Sequence, residues 1–170
     1  MSVTIEGPDG LLLRPWVEQD AEALLAVADD PELRARLANP PPRDHAEAQG
    51  WLLAQLAGWQ AGDRFGFAVL LADRLAGHIA LKHPDPTSQA AEVGYWTAAA
   101  ARGQGVAPRA LELLTGWAFE GRGLRRLELF HAVDNSASCR VAVKAGFGLA
   151  DELPPSPKWP RPGHRHVRER

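Results

Sequence analysis

Only one cysteine, Cys139, stands among the 170 residues, so no disulfide can form within the chain. That usage suits a reducing compartment, and a cytoplasmic location is expected. Long apolar runs are missing as well. None approaches the ~20 residues of a membrane span. The opening Met1-Ser2-Val3-Thr4 lacks the basic and apolar regions of a secretory leader. No membrane partner is expected. Nor is there an excess of positive charge: 19 Lys and Arg face 21 Asp and Glu, a net of -2. Such a balance gives no general nucleic-acid surface. No histidine or acidic spacing has the form of a metal site. No Gly-Lys-Ser or Gly-Lys-Thr occurs, which excludes a P-loop. The length suits one domain, able to bury about 70% of its unfolded surface.

What is present is a glycine-bearing turn, Arg102-Gly103-Gln104-Gly105-Val106-Ala107. Before it, Ala91 to Trp96 reads as a strand. After it, Leu111, Leu114, Trp117 and Ala118 recur at helical spacing. The first amides of a helix have no internal partner, and the helix dipole makes that end positive. A strand-to-helix turn of this kind holds a phosphate or pyrophosphate. Gly103 and Gly105 remove the β-carbons that would keep an anion off the backbone. A dinucleotide fingerprint would need a third glycine where Pro108 stands. The pattern that remains is R-x-x-G-x-A, filled by Arg102, Gly105 and Ala107. A polar turn with glycine for backbone freedom is the plainer alternative.

Strands and helices alternate along the rest of the chain. Residues 11–16 read as a strand and 18–29 as a helix. Asp30-Pro31-Glu32 opens a short helical stretch that Asn39-Pro40-Pro41-Pro42 must break. Asp44, with Glu47 three residues later, has the form of a capping box. The helix it starts carries Trp51, Leu52, Gln55, Leu56 and Trp59 and ends near Gly62. Residues 64–71 and 75–82 read as a hairpin, followed by a loop at 83–89. Then come a strand at 92–97, a helix at 103–121, a strand at 125–133, a helix at 136–145 and a strand at 147–153. The order suggests one domain over 1–153, a mixed sheet with helices on both faces. Residues 154–170 form a proline-rich, basic tail. It is either solvated or ends in a short last strand.

A second segment gives the turn its meaning: Asn135-Ser136-Ala137-Ser138-Cys139-Arg140-Val141-Ala142-Val143-Lys144-Ala145-Gly146-Phe147. Together the two segments resemble the acetyl-CoA elements of the GNAT superfamily of N-acetyltransferases. Gly94-Tyr95-Trp96, with Leu13-Arg14-Pro15-Trp16 and Asp20-Ala21, is similar to the RimJ/RimL-type branch, which acetylates ribosomal-protein N-termini. The resemblance covers roughly residues 10 to 150. It implies an α/β (α+β mixed), three-layer fold with a mostly antiparallel central sheet of about six or seven strands. It also implies a splay between the fourth and fifth strands, those ending near Thr97 and starting near Arg125. Acetyl-CoA would lie in that gap as co-substrate, without a metal. Its acyl group would pass directly to a primary amine, on a protein N-terminus or a small molecule. A homodimer is a further expectation, because many relatives dimerise.

The same resemblance assigns roles. Tyr95, Trp96 and Thr97 would meet the pantetheine arm, mainly through backbone, and Arg102, Gly103, Gln104, Gly105, Val106, Ala107 and Pro108 would cradle the pyrophosphate. A backbone N–H near Trp96 or Thr97 would polarise the thioester carbonyl. Many relatives carry an acidic tyrosine where this chain has Ala142. The RimL-like branch has a serine at the position of Ser138, which would donate to the thioester sulfur, while Asn135 would hold the pantetheine. Both residues also suit a helix start, Asn135 as its N-cap. Glu92 is the candidate base, by relay through water; a solvated carboxylate is its alternative. His131 reads as a hydrogen-bonded core residue and Cys139 as packing. His78 could face the acceptor cleft. Trp51, Trp59 and Trp117 read as core, while Trp16 and Trp96 are the better candidates to line a cleft. Residues 27–45 and 83–90 would set the acceptor. The missing tyrosine keeps open an acyl-CoA sensor without transferase activity. A third reading, a scaffold using the basic tail, predicts no stabilisation by acetyl-CoA.

Overall fold

A computed structural model describes residues 3–157 and 160–170. Met1 and Ser2, on which the reading of the leader partly rests, lie outside it, as do Lys158 and Trp159 of the tail. The strands are β1 Ile5–Glu6, β2 Leu11–Pro15, β3 Arg64–Leu71, β4 Arg74–Asp85, β5 Ala90–Thr97, β6 Arg126–Ala132, β7 Gly148–Leu153 and β8 Gly163–Glu169. They form one sheet in the order β1-β2-β3-β4-β5-β6-β8-β7. Among the described residues the β5–β6 pair is parallel and the other neighbouring pairs are antiparallel. Among the described residues no helix is long and apolar enough to cross a membrane.

Strand alternation sorts side chains onto two faces. Phe67, Ile79, Leu81, Val93, Leu127 and Leu129 point toward α4 Val106–Gly116 and α5 Ser136–Lys144, meeting Leu111, Leu114 and Ala142. On the opposite face Ala68, Leu70 and Trp96 meet Trp16 and the helices α1 Ala21–Ala28, α2 Pro31–Arg36 and α3 His45–Ala61. Leu111 and Leu114 are fully buried. Each such side chain contributes about 2 kcal/mol of hydrophobic stabilisation.

The expected caps form. Asp44 accepts from Glu47 N at 2.8 Å, and the Glu47 carboxylate accepts from Arg43 N at 2.8 Å. Gly62, left-handed at φ 72, ends α3. Asp30 caps α2 by accepting from Glu32 N at 2.9 Å. Arg14 and Asp20 form a bidentate pair at 2.8 and 2.7 Å, and the Asp20 carboxylate also accepts from Val17 N. These two residues of the opening motif therefore fix the entry into α1.

Several boundaries differ from the sequence reading. Ile5–Glu6 adds a strand at the N-terminal edge, giving eight strands where six or seven were expected. Glu18–Asp20 is a 3-10 turn ahead of α1. β4 runs on to Asp85 across a register shift between Lys82 and Asp85, so the loop narrows to 86–89. The helix expected from Gly103 begins at Val106, because two left-handed glycines keep residues 103–105 in a turn. It continues as a wider π turn over Trp117–Gly121. The C-terminal end is a strand inside the sheet. β8 pairs with β6 through His131↔His164 and with β7 through Leu149↔His166.

Candidate active site

The parallel pair β5–β6 holds from Ala90↔Arg126 to Val93↔Leu129 and then parts. β5 continues through Thr97 against β4 alone, and β6 continues against β8 alone. Ala98 N donates to Ala76 O at 2.8 Å, toward the β4 side. Alternation back along the strand turns the backbone groups of Tyr95 and Thr97 into the gap and those of Trp96 toward β4. Such freed groups need hydrogen-bond partners. The expected trio thus divides: two residues offer backbone, and the third offers its ring.

The turn that follows is arranged for an anion. Gly103 and Gly105 sit at φ 75 and 69. A side chain at such φ costs about 1–2 kcal/mol. A β-carbon at either would meet nothing within 4 Å, so conformation, more than space within the protein, demands glycine here. Among the described residues the N–H groups of Gly103, Gln104 and Gly105 make no close backbone hydrogen bond, and Val106 and Ala107 stand in the first turn of α4, where a helix offers no internal acceptor. Pro108 has no N–H to satisfy and fits the first helical turn. The Gln104 side chain holds the turn by donating to Ala100 O at 2.8 Å. The Arg102 guanidinium turns to α2 instead, pairing with Asp30 and, at 2.9 Å, with Glu32. It ties the turn to the helices on the opposite face.

A cleft of about 350 Å³ runs from this turn to the start of α5. Two helix N-termini, those of α4 and α5, open onto it. Ala137, Arg140, Val141 and Lys144 line it from one face of α5. The cations Arg140 and Lys144 escaped the sequence reading. Extending the Asn135 cap at i+3, i+4 and i+7 spacing from Ala137 would have found them. Asn135 does cap α5, accepting from Ser138 N at 3.1 Å. A second cleft of about 520 Å³ lies beyond, bordered by Trp51, Arg64, His78, Lys82, Glu92 and Asp134. Arg36, Leu37, Tyr95, Trp96, Asn135 and Ser138 belong to both.

Where the clefts join, Tyr95 Oη and Ser138 Oγ are 2.8 Å apart. Burial pushes the phenol up to about 12, with the Ser138 bond pulling the other way. Tyr95 therefore keeps its proton and can donate to Ser138, leaving the serine hydroxyl free to donate onward. Tyr95 is the only tyrosine of the chain. It arrives from β5, on a different element from the absent α5 tyrosine. Motif spacing carries no sign of this contact, which joins residues 43 positions apart.

Glu92 borders the second cleft and pairs with Lys82. A β-carbon on Gly94 would stand 3.0 Å from Lys82 Cε and Nζ, so the bare glycine makes room for this lysine. His78 also borders this cleft, but as a neutral wall. Trp16 Nε1, which can only donate, reaches His78 Nδ1 at 3.0 Å. The imidazole proton is therefore on Nε2, which has no partner among the described residues. The Phe67 carbonyl, 3.2 Å from Nδ1, receives no proton from it. Burial, with Arg64 and Lys82 nearby, pushes His78 down to about 3. With Nδ1 occupied and Nε2 protonated, His78 has no site to accept a proton from an amine. Trp51, expected in the core, packs edge-on against Trp16, 5.0 Å between centroids, and borders the second cleft. Trp59 and Trp117 lie in the aromatic core with Phe65 and Phe67, as expected.

Comparison with known proteins agrees with this architecture. A family model described as an acetyltransferase (GNAT) domain matches residues 10–148. The ribosomal-protein-serine acetyltransferase of Escherichia coli is 35% identical over 83 residues, 49% of this chain and 46% of that protein. The uncharacterised N-acetyltransferase YoaA of Bacillus subtilis is 28% identical over 141 residues, 82% of this chain and 80% of its own. The chain spans about half the length of the first curated relatives it matches, 46% and 48%. A solved RimL ribosomal L7/L12 alpha-N-protein acetyltransferase in complex with coenzyme A superposes with a TM-score of 0.89 at 22% identity, covering 98% of each chain.

Proposed function

The chain belongs to the GNAT acetyltransferase family, and from that membership we propose that it moves an acetyl group from acetyl-CoA directly to a primary amine. The observation that carries the reading is the union of two clefts at Ser138 and Tyr95, beside the splayed strands. The first cleft takes the co-substrate. The free amides of residues 103–107 hold the pyrophosphate, with Arg140 and Lys144 as counter-charges. Backbone groups of Tyr95 and Thr97 pair with the pantetheine amides as an added strand would. Asn135 borders the arm where it reaches the acyl group.

The acceptor amine enters from the second cleft. We assign it to a protein N-terminal α-amine, in keeping with the named activity of the Escherichia coli relative. An α-amine has an ordinary pKa near ~8, against ~10.4 for lysine, so more of it is neutral near pH 7. Its nitrogen bonds to the carbonyl carbon as the carbon–sulfur bond breaks. The N–H of Tyr95 or Thr97 polarises the carbonyl oxygen, a donor worth about 3 kcal/mol of barrier. Ser138, backed by Tyr95, donates to the leaving sulfur. The proton released by the amine passes through water to the Glu92–Lys82 pair. The reaction needs no metal and takes place in the cytoplasm.

Thiol release from acetyl-CoA, measured with a panel of N-terminal peptides and small amines, tests the reading. Peptide-dependent release, with an acetyl mass shift on the α-amine, is the expected result. Saturable acetyl-CoA binding without release by any acceptor would make the chain a cofactor sensor instead.

A further inference from the structure

Behind the α5 start lies a cluster that the transfer reaction does not use. β6 places His131 beside its cross-strand partner His164 on β8. Alternation puts His166 on the same face of β8 as His164. Cys139, one residue after Ser138, comes down onto them from α5. One ligand atom from each of the four lies within 4.8 Å of all the others. Their sequence positions follow no metal-binding spacing, because three separate elements deliver them.

The hydrogen bonds of this cluster decide its chemistry. His131 Nδ1 lies 2.8 Å from Ala132 O, and His166 Nδ1 lies 3.3 Å from Phe147 O. A carbonyl oxygen only accepts, so both Nδ1 atoms carry protons. In the neutral rings each Nε2 then presents a lone pair, and the two Nε2 atoms face each other at 3.1 Å. Two acceptors at that distance repel unless a positive charge joins them. A proton shared between the two Nε2 atoms or a metal cation bound by both would supply that charge. His166 is fully buried and His131 is 5% exposed. A third imidazole adds to the imbalance: His164 Nδ1 is buried and has no partner among the described residues. Nδ1–H bonded to a backbone carbonyl, with Nε2 free, is the outer-shell arrangement of metal-ligating histidines.

We propose that His131, His164, His166 and Cys139 form a tetrahedral site for one divalent transition-metal ion, Zn²⁺ foremost. Three imidazoles and a thiolate make a borderline-soft donor set that suits Zn²⁺. Bond lengths of about 2.0–2.3 Å put tetrahedral ligands roughly 3.3–3.7 Å apart. The His131–His166 pair is already near that separation. His164 and Cys139, both only half-buried, close the remaining ångström by side-chain rotation. Binding converts the Cys139 thiol to a thiolate and releases one proton to solvent; no electron is transferred. The ion would staple β6 and β8 to the first turns of α5, next to Asn135 and Ser138. The family chemistry proposed above neither needs nor supplies it, so the two readings stand or fall separately.

Co²⁺ titration of the untagged, chelator-treated chain under reducing conditions tests the site. One equivalent of Co²⁺ should produce the intense visible bands of four-coordinate cobalt and a near-ultraviolet thiolate charge-transfer band. Zn²⁺ should then displace it. Cys139→Ser should abolish the charge-transfer band, and His164→Ala should weaken binding at least about tenfold. Both positions are half-buried, so these variants should fold, which circular dichroism checks. Absence of the charge-transfer band in the wild-type chain overturns the proposal. So does Co²⁺ affinity that neither variant changes.

Discussion

Removing the Ser138 hydroxyl is the sharpest perturbation of the proposed site. Ser138→Ala leaves the α5 cap in place, because Asn135 accepts from the Ser138 main-chain N–H. The helix start should therefore survive. What goes is the donor to the leaving sulfur and the partner of Tyr95 Oη at 2.8 Å. Leaving that phenol unpaired should lower stability by about 1 kcal/mol. Losing a preorganised donor to a developing charge removes about 3 kcal/mol of transition-state stabilisation, roughly a hundredfold in kcat. Tyr95→Phe deletes only the hydrogen bond behind the serine, worth about 1 kcal/mol, so kcat should fall about fivefold. In the double variant the phenylalanine should add almost nothing to the loss from alanine, because the tyrosine acts through Ser138. Steady-state thiol release at saturating acetyl-CoA and peptide gives kcat, and each KM separates binding from chemistry. A Ser138→Ala enzyme within about threefold of wild-type kcat would refute the donor role. Additive losses in the double variant would refute the relay.

Three further outcomes are expected. Gly105→Ala, at φ 69, should destabilise the fold by about 1 kcal/mol in urea unfolding and raise the KM for acetyl-CoA, leaving saturated kcat near wild type. His78 is held at about 3 in the folded chain against 6.5 unfolded, so the unfolded state binds the extra proton between those values. Its contribution is complete above pH 6.5 and is lost as pH falls toward 3, by about 1.4 kcal/mol per unit. His78→Asn, which keeps an acceptor for Trp16, should flatten the fall of urea-unfolding stability below pH 6.5 by one proton; parallel profiles would contradict the assigned burial. Deleting residues 163–170 removes β8 from between β6 and β7, and no cooperative unfolding transition should remain by circular dichroism.

The elements legible from sequence were those with local causes. The α3 cap follows from Asp44 and Glu47, the α5 cap from Asn135, and the glycine turn ahead of α4 from Gly103 and Gly105. What escaped depends on contacts across the sheet. Tyr95 reaches Ser138 only because β5 parts from β6, and no spacing rule encodes that separation. Arg102 reads as a phosphate ligand in its motif, yet Asp30 and Glu32 from a distant helix claim its guanidinium. The histidines at 131, 164 and 166 become neighbours through the β6–β8 register alone. β8 stayed ambiguous because five prolines precede or adjoin it between 154 and 163, and its basic residues look solvated until their partners are known. In the fold Arg165 bonds Glu128 at 2.9 Å, and Arg168 bonds Glu112 Oε1 at 2.9 Å.

The position of β8 also constrains synthesis. β7 emerges from the ribosome before the only strand it pairs with, so for a time it is a ribbon with both flanks bare. An apolar ribbon in that state would invite association with other nascent chains. Gly148–Leu153 reads GLADEL, with Asp151 and Glu152 in its second half, and in the finished fold it is the exposed border of the sheet. Both carboxylates thus keep the segment charged while it waits for its neighbour; in the finished fold Asp151 accepts from Arg165 Nε of β8 at 2.7 Å, and Glu152 stays exposed on the rim.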